Sequence, residues 1–278
     1  MSSQKHNESA SVRFLYNTVF GRLTLKMLTS PVISKIAGLF MDSVLSKVLI
    51  KGFIKRNGIY MSEFENRKFN SYNDFFTRKI NPDARPIDEN PLNLISPCDS
   101  FLSAYKIDED IKFEIKGSSY SISDLLQNGE LAESYKGGYC LIFRLAVHHY
   151  HRYCYIDNGE KGENTFIKGI FHTVRPIAFE RYNVYKQNSR EYTVLNTENF
   201  GNVTQIEVGA MMVGRICNNH QNYKFVRGEE KGRFEFGGST IVLLFEKDKV
   251  QINDELIKRT INGEGTPIKL GQVIGKRI

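Results

Sequence analysis

The amino-acid sequence predicts an α+β protein, with N-terminal amphipathic helices over residues 1–85 and a mainly antiparallel β-sandwich or barrel-like domain over residues 86–278. Three observations lead there. Apolar residues between Val12 and Val48 recur at three- and four-residue steps, the helical period. Beyond residue 86 the pattern becomes short runs rich in β-branched and aromatic residues, separated by Gly, Asn and Asp. Charge divides the chain in the same way. Eight basic residues (Arg13, Arg22, Lys26, Lys35, Lys47, Lys51, Lys55, Arg56) lie between Val12 and Arg56 against one acid, Asp42, a surplus equal to the chain's whole formal charge of +7.

Val12, Leu15, Tyr16, Val19, Phe20, Leu23 and Met27 mark the apolar face of a first helix. Ser30-Pro31 supplies an N-cap and first helical position for the next, whose face runs through Ile33, Ile36, Ala37, Phe40, Val44 and Val48. Lysines interrupt every apolar run well short of the ~20 residues that span a bilayer, so helices lying on a membrane surface are expected. The same faces could instead pack on the protein's own core. "SYNDFFTRKINPDARPID" (71–88) reads as a helix leading into a linker. Strands are expected in "KFEIKG", "GYCLIFRLAV", "VTQIEVGAMMVGRI" and "STIVLLFE". "SDLLQNGE" reads as a small helix capped by Ser123 and stopped at Gly129. "VGAMMVGRI" (208–216) and "LGQVIGKRI" (270–278) share a glycine, a short apolar step, a second glycine and a terminal isoleucine, which suggests related halves of a barrel or sandwich.

A hydrophobic content of 41% with 25% charged residues describes a globular chain rather than a disordered one. Cys98, Cys140, Cys154 and Cys217 form no CxxC pair, which argues against a structural zinc site and a disulfide-stapled secreted domain. The N-terminal stretch lacks the apolar core of a signal peptide, so a reducing, cytoplasmic setting is expected. The excess positive charge points to an anionic partner. It sits on the helices rather than along a β-face, which favours a lipid surface and disfavours nucleic acid.

Candidate chemistry lies in three places. "AVHHYHRYCYIDNG" holds His148, His149 and His151, with His149 and His151 on one face if the segment is a strand. No carboxylate or cysteine spacing completes a metal site there. "ISPCDS" holds Asp99, a turn residue or a carboxylate that orients a histidine. "FEFGGSTIVLLFE" places Gly237, Gly238, Ser239 and Thr240 at the entrance of a buried strand. The two glycines mark a bulge or bend there. Alternatively, the Ser239 hydroxyl attacks the carbonyl of Gly238, with a histidine taking its proton. The resulting ester, on elimination, leaves Ser239 as a pyruvoyl group, whose ketone forms a Schiff base with an amine and serves as an electron sink.

These segments, in order "DFFTRKINPDARPID", "SPCDS", "YHRYCYIDNG", "FGNVTQIEVGAMMVGRI" and "GRFEFGGSTIVLLFE", resemble the phosphatidylserine decarboxylase family from about residue 71 to 250. The resemblance implies a proenzyme that cleaves itself between Gly238 and Ser239 into a β chain (1–238) and an α chain (239–278) that stay together as a heterodimer. It implies that Asp99 and Ser239 are the acid and nucleophile of the self-cleavage triad. The cofactor would be the covalent pyruvoyl group derived from Ser239, and the reaction conversion of phosphatidylserine to phosphatidylethanolamine and carbon dioxide. The basic helices would then dock on the cytoplasmic side of the anionic cell membrane, as a peripheral protein. Two positions depart from the pattern. Gly237 stands where the family carries leucine, and Cys154 stands where many members carry the histidine that serves as base, which leaves His151 as the expected acid–base group and His148 and His149 as reserves. A non-catalytic, uncleaved lipid-binding protein of the same fold is the alternative.

Overall fold

The structure is a computed structural model that describes residues 31–110, 112–115, 118–169, 188–209, 215–235, 237 and 239–278, together with Phe14, Thr18, Phe20, Gly21 and Thr24. Most of the first expected helix, and Gly238, lie outside the described residues. Helix α1 (Pro31–Asp42) begins at the proline that the Ser30-Pro31 pair predicts. A 3₁₀ turn (Val44–Lys47) joins it to α2 (Val48–Asn57), which stops at Gly58 in the left-handed conformation, φ +61°. The stretch 71–88 is α-helical only over α3 (Tyr72–Phe76), where the Ser71 hydroxyl accepts the Asp74 amide, and makes one 3₁₀ turn at Pro82–Ala84. Two hydrogen bonds fasten the N-terminal helices to α3. Ser46 Oγ accepts the Tyr72 amide at 2.8 Å, and Asn73 Nδ2 donates to Asp42 Oδ1 at 2.8 Å.

The remaining chain is built from strands. In order these are β1 (Asn93–Ile95), β2 (Ser100–Lys106), β3 (Lys112–Ile115) and β4 (Ser118–Ser121), then the short helices α4 (Ile122–Leu126) and α5 (Gly129–Glu133). Next come β5 (Tyr139–Leu145), β6 (Arg152–Cys154), β7 (Gly159–Lys161), β8 (Thr165–Ile167), β9 (Arg190–Thr197) and β10 (Gly201–Gly209). The C-terminal third contains β11 (Ile216–Asn218), β12 (Tyr223–Phe225), β13 (Glu230–Phe234), β14 (Ser239–Phe245), β15 (Val250–Ile252), helix α6 (Asp254–Ile261), β16 (Thr266–Ile268) and β17 (Val273–Arg277). Every strand pairing is antiparallel. The large sheet runs β12-β7-β9-β10-β14-β5-β2-β16, with β8 also on β9, beside two three-stranded sheets, β1-β17-β15 and β11-β13-β6, and the β3-β4 hairpin. Among the described residues no sheet closes on itself, so the α+β class stands without a closed barrel.

β14 lies at the centre of the large sheet and all seven of its residues are buried. Ile241, Leu243 and Phe245 share one core with Leu102, Leu141, Phe143 and Val203, and with Tyr153, Phe234 and Ile274 from the smaller sheets. Val242 and Leu244 are buried on the opposite face. There Arg190 Nε donates to the Leu125 carbonyl of α4, and the Tyr135 hydroxyl meets Thr204 Oγ1. A strand covered on both sides has no polar face, which is why "TIVLLF" reads as an unbroken apolar run.

Three expectations change. α4 is capped by Ser121, whose hydroxyl accepts the Asp124 amide, not by Ser123, and it ends at left-handed Gln127. Gly129 opens α5 instead of stopping a helix, because Asn128 in extended conformation accepts the Leu131 amide. The first glycines of the echo sit differently, and residues 210–214 lie outside the described residues. Val208 and Gly209 end a strand, whereas Gly271 turns the chain at φ +81° ahead of β17.

Lys231 and Glu207, both fully buried, meet at 2.7 Å on the inner face, where Asn218 and Gln205 complete the network. A buried pair is destabilising once one charge is left alone. Lys231→Met should therefore cost about 3–5 kcal/mol, and Lys231→Met with Glu207→Leu should recover most of that loss, as measured by urea denaturation.

Candidate functional site

The site grows from the register of β14. Ser239, its first residue, is paired with Gly209 of β10 on one side and Leu145 of β5 on the other. The chain leaves β5 at Leu145, makes a tight turn, and returns as β6 at Arg152. His149 closes that turn, its backbone amide donating to the Ala146 carbonyl at 2.9 Å and its Nδ1 accepting the Ala146 amide at 3.0 Å. The three histidines therefore lie in the connection between two strands, beyond the end of β5 at Leu145 and before β6, so His149 and His151 do not share a strand face. The turn delivers His151 back to the start of β14. Its Nδ1 lies 3.3 Å from Ser239 Oγ.

Both partners are completely buried. The His151 ring stacks on Phe76 of α3 at a centroid separation of 4.1 Å, and its carbonyl accepts the Phe234 amide at the end of β13. Arg152 secures α3 against this turn by donating Nε to the Thr77 carbonyl while pairing with Glu230. Burial, with the neighbouring His149 and Arg78 guanidinium, pushes the His151 pKa well below its ordinary value. The ring is thus neutral at pH 7. With its proton on Nε2, Nδ1 is an acceptor for the Ser239 hydroxyl. Among the described residues Nε2 has no hydrogen-bond partner.

Asp99 sits in the turn before β2 and is nearly buried. Its carboxylate accepts Nε and Nη2 of Arg85, the shortest contact being 2.7 Å, and also the Leu270 amide at 2.9 Å. Among the described residues no hydrogen bond joins Asp99 to His151. Its field acts on His149, where it partly offsets burial and the adjacent His148, which together bring that imidazole down to about 3. Arg85 escaped the sequence reading because an arginine in a Pro-flanked linker looks like a solvated charge, yet its side chain is buried between Asp99 and Glu63.

Gly237 has φ +143°, a conformation open to glycine and strained for the leucine that the resemblance expects. Cys154 lies in the core, its amide bonded to the Pro97 carbonyl. Burial raises its thiol pKa to about 12, so it cannot accept a proton near neutrality in place of a histidine. Among the described residues no cluster of His, Cys, Asp and Glu could hold a metal ion.

Residues 72–276 match the family model described as phosphatidylserine decarboxylase. The chain is 46% identical over 274 residues to a protein of Clostridium acetobutylicum named phosphatidylserine decarboxylase proenzyme 2, covering 98% of this chain and 94% of that one. It is 42% identical to the phosphatidylserine decarboxylase proenzyme of Ruminiclostridium cellulolyticum, covering 95% and 90%, and 39% identical to that of Clostridium perfringens, covering 96% and 92%.

The pKa values of His148, His149 and His151 are all lowered in the folded state. Below about pH 6.5 the unfolded chain binds protons that the folded chain refuses, so stability is full above that pH and falls as the solution is acidified. Buried His151 and half-buried His149 each contribute a slope of up to ~1.4 kcal/mol per pH unit between unfolded and folded pKa, and exposed His148 contributes less because solvent screens it. Thermal midpoints should drop from pH 7 to pH 5, less steeply in His149→Gln; equal slopes in both proteins would refute this account.

Proposed function

As the chain belongs to the phosphatidylserine decarboxylase family, we propose that it cuts itself between Gly238 and Ser239 and then decarboxylates phosphatidylserine to phosphatidylethanolamine on the pyruvoyl group left at Ser239. The single observation that carries the residue assignment is the 3.3 Å approach of His151 Nδ1 to Ser239 Oγ inside a dry, apolar enclosure.

His151 accepts the hydroxyl proton as Oγ attacks the Gly238 carbonyl carbon. The amide becomes an ester and the Ser239 nitrogen is freed as an amine. Removal of the Ser239 Cα proton then breaks the Cβ–O bond, expelling the Gly238 carboxylate and leaving a dehydroalanine. Water replaces its nitrogen, releasing ammonia and leaving the ketone. Neutral His151 suits the first step because a charged imidazole has no lone pair to offer. Asp99, clamped by Arg85 and the Leu270 amide, makes no hydrogen bond to this pair among the described residues. The buried, water-poor surroundings of Ser239 fit a pyruvoyl group, and the unpartnered Nε2 of His151 remains for a bound substrate. A pyruvoyl group held at position 239 would supply an electron sink for an amine-bearing substrate that loses carbon dioxide. His151 is then the group of this chain placed to hold a proton beside the reacting carbon.

The chains 1–238 and 239–278 stay together in this reading because β14, the start of the second, is held between β10 and β5 of the first. Residues 1–85 form the membrane-associating region and 86–278 the catalytic one, a sandwich of the large sheet against the smaller ones. Val44, Leu45 and Val48 expose 69%, 74% and 81% of their surface beside exposed Lys47 and Lys51, which supports docking on an anionic membrane from its cytoplasmic side. Among the described residues no helix is long and apolar enough to cross a membrane.

Intact mass spectrometry tests the cleavage. Wild type should give fragments of 238 and 40 residues, the smaller one blocked at its start, and Ser239→Ala a single chain near 31.9 kDa. His151→Gln should slow processing by about 10²–10⁴-fold. A folded wild type that stays whole would favour the non-catalytic lipid-binding alternative. In flotation with anionic liposomes, a Val44→Asp, Leu45→Asp, Val48→Asp triple variant should lose the binding that the parent retains; equal flotation would remove these residues from the membrane surface.

A further inference from the structure

Arg78 follows α3 by two residues and exposes 1% of its surface. Its guanidinium carbon lies 4.1 Å from the ring centroid of Phe64 and 4.7 Å from that of Phe75. One contact satisfies part of it, from Nη1 to the Phe75 carbonyl at 3.3 Å. Among the described residues Nε and Nη2 have no hydrogen-bond partner. Other buried arginines are treated differently. Arg85 is paired with Asp99 and Glu63, and Arg190 donates to the carbonyls of Asp124, Leu125 and Asn188. The acid whose field reaches Arg78, Asp99, is already bound by Arg85, and a buried guanidinium with free donors is costly unless an anion joins it.

Its place beside the site is given by the aromatic wall that it shares with His151. Phe75, under the guanidinium, is adjacent in sequence to Phe76, which stacks on His151. Phe64, on its other side, meets Tyr150, the residue preceding His151, at 6.3 Å between centroids. Burial lowers the Arg78 pKa only to about 10, so it stays charged at neutral pH, and its charge in turn depresses His151. The site therefore holds two sets of unpartnered nitrogens, on Arg78 and on His151 Nε2, around one aromatic wall.

We propose that Arg78 binds the phosphodiester of the lipid head group and so positions the substrate amine and carboxylate at residue 239. This rests on the phosphatidylserine reading above and deepens it. The head group carries two oxyanions, and the chemistry selects between them. The carboxylate loses its charge as carbon dioxide leaves, so an arginine holding it would stabilise the reactant more than the transition state. The phosphodiester keeps its charge throughout, so its bond to Arg78 supplies affinity without raising the barrier. A planar guanidinium with Nε and Nη2 both free presents two donors suited to two phosphate oxygens.

The test uses the full-length, self-processed enzyme with phosphatidylserine in mixed micelles, compared with Arg78→Gln and Arg78→Lys. Processing, read by mass spectrometry, should be complete in all three. In Arg78→Gln, KM should rise about 10- to 100-fold while kcat changes little, as expected for loss of a charged hydrogen bond that is equally strong before and during the reaction. Inhibition by phosphatidylethanolamine, which has the phosphodiester and lacks the carboxylate, should weaken by the same factor, with Arg78→Lys intermediate. The thermal midpoint of Arg78→Met should match or exceed that of wild type, because an unpaired buried charge is removed. A processed Arg78→Gln with unchanged KM and unchanged inhibition overturns the proposal. Loss of KM without loss of phosphatidylethanolamine inhibition assigns Arg78 to the carboxylate and overturns it equally. An Arg78→Met midpoint several degrees lower, with unaltered kinetics in what remains folded, makes the residue structural. Failure of the decarboxylase reading itself is separable, since wild type would then release no carbon dioxide from the same micelles.

Discussion

The double burial of β14 governs the rest of the site. Because neither face of this strand meets water, its first residue is set in place by ladder hydrogen bonds from β10 and β5 and by packing above and below. Ser239 is where that frame begins, and the end of β13 is tied to the same site through the bond from the Phe234 amide to the His151 carbonyl. A bond to be cut within its own chain requires a nucleophile that cannot drift from it, and a central strand provides that fixity. The same burial keeps water from His151, so the imidazole is uncharged and able to take a proton. Position and proton affinity thus have one cause.

Enclosure of this kind makes every charge near the site expensive, and the chain answers it in two ways. Arg85 with Asp99, and Lys231 with Glu207, are closed pairs whose hydrogen bonds are largely satisfied. They tie distant segments together, Arg85 in the linker to the turn before β2, and β13 to β10. Arg78 and His151 Nε2 are left open. A protein whose net stability is only several kcal/mol tolerates few such unpaired groups, and both of these lie against the aromatic wall of α3.

That wall also connects the site to the N-terminal helices. Asp42 and Ser46 bond to Asn73 and Tyr72 of α3, and Phe76 at the other end of α3 stacks on His151. The exposed apolar residues of the 3₁₀ turn and α2 therefore stand only a few contacts from the His151 imidazole. A membrane-docked pose of these helices would present the enclosure to the lipid that it acts on.

Local pattern determined much of this protein by itself. The fully apolar "TIVLLF" run could only be a strand covered on both faces, and the glycines before Ser239 announced backbone freedom at a residue with chemistry to perform. The family likeness of five ordered segments rested on the same linear information, as did the choice of Asp99, His151 and Ser239. Tertiary structure alone decided which of these groups touch. Ser239 and His151 meet across 88 positions, and Asp99 accepts an amide from 171 positions away, contacts that depend on sheet register rather than on neighbouring residues. It also placed the three histidines in the connection between two strands, because the chain must reverse between β5 and β6. Arg85 and Arg78 could not be read as buried from sequence, since a linker arginine and a surface arginine have the same local pattern. Their desolvation follows from what folds over them, and desolvation is what gives them their roles.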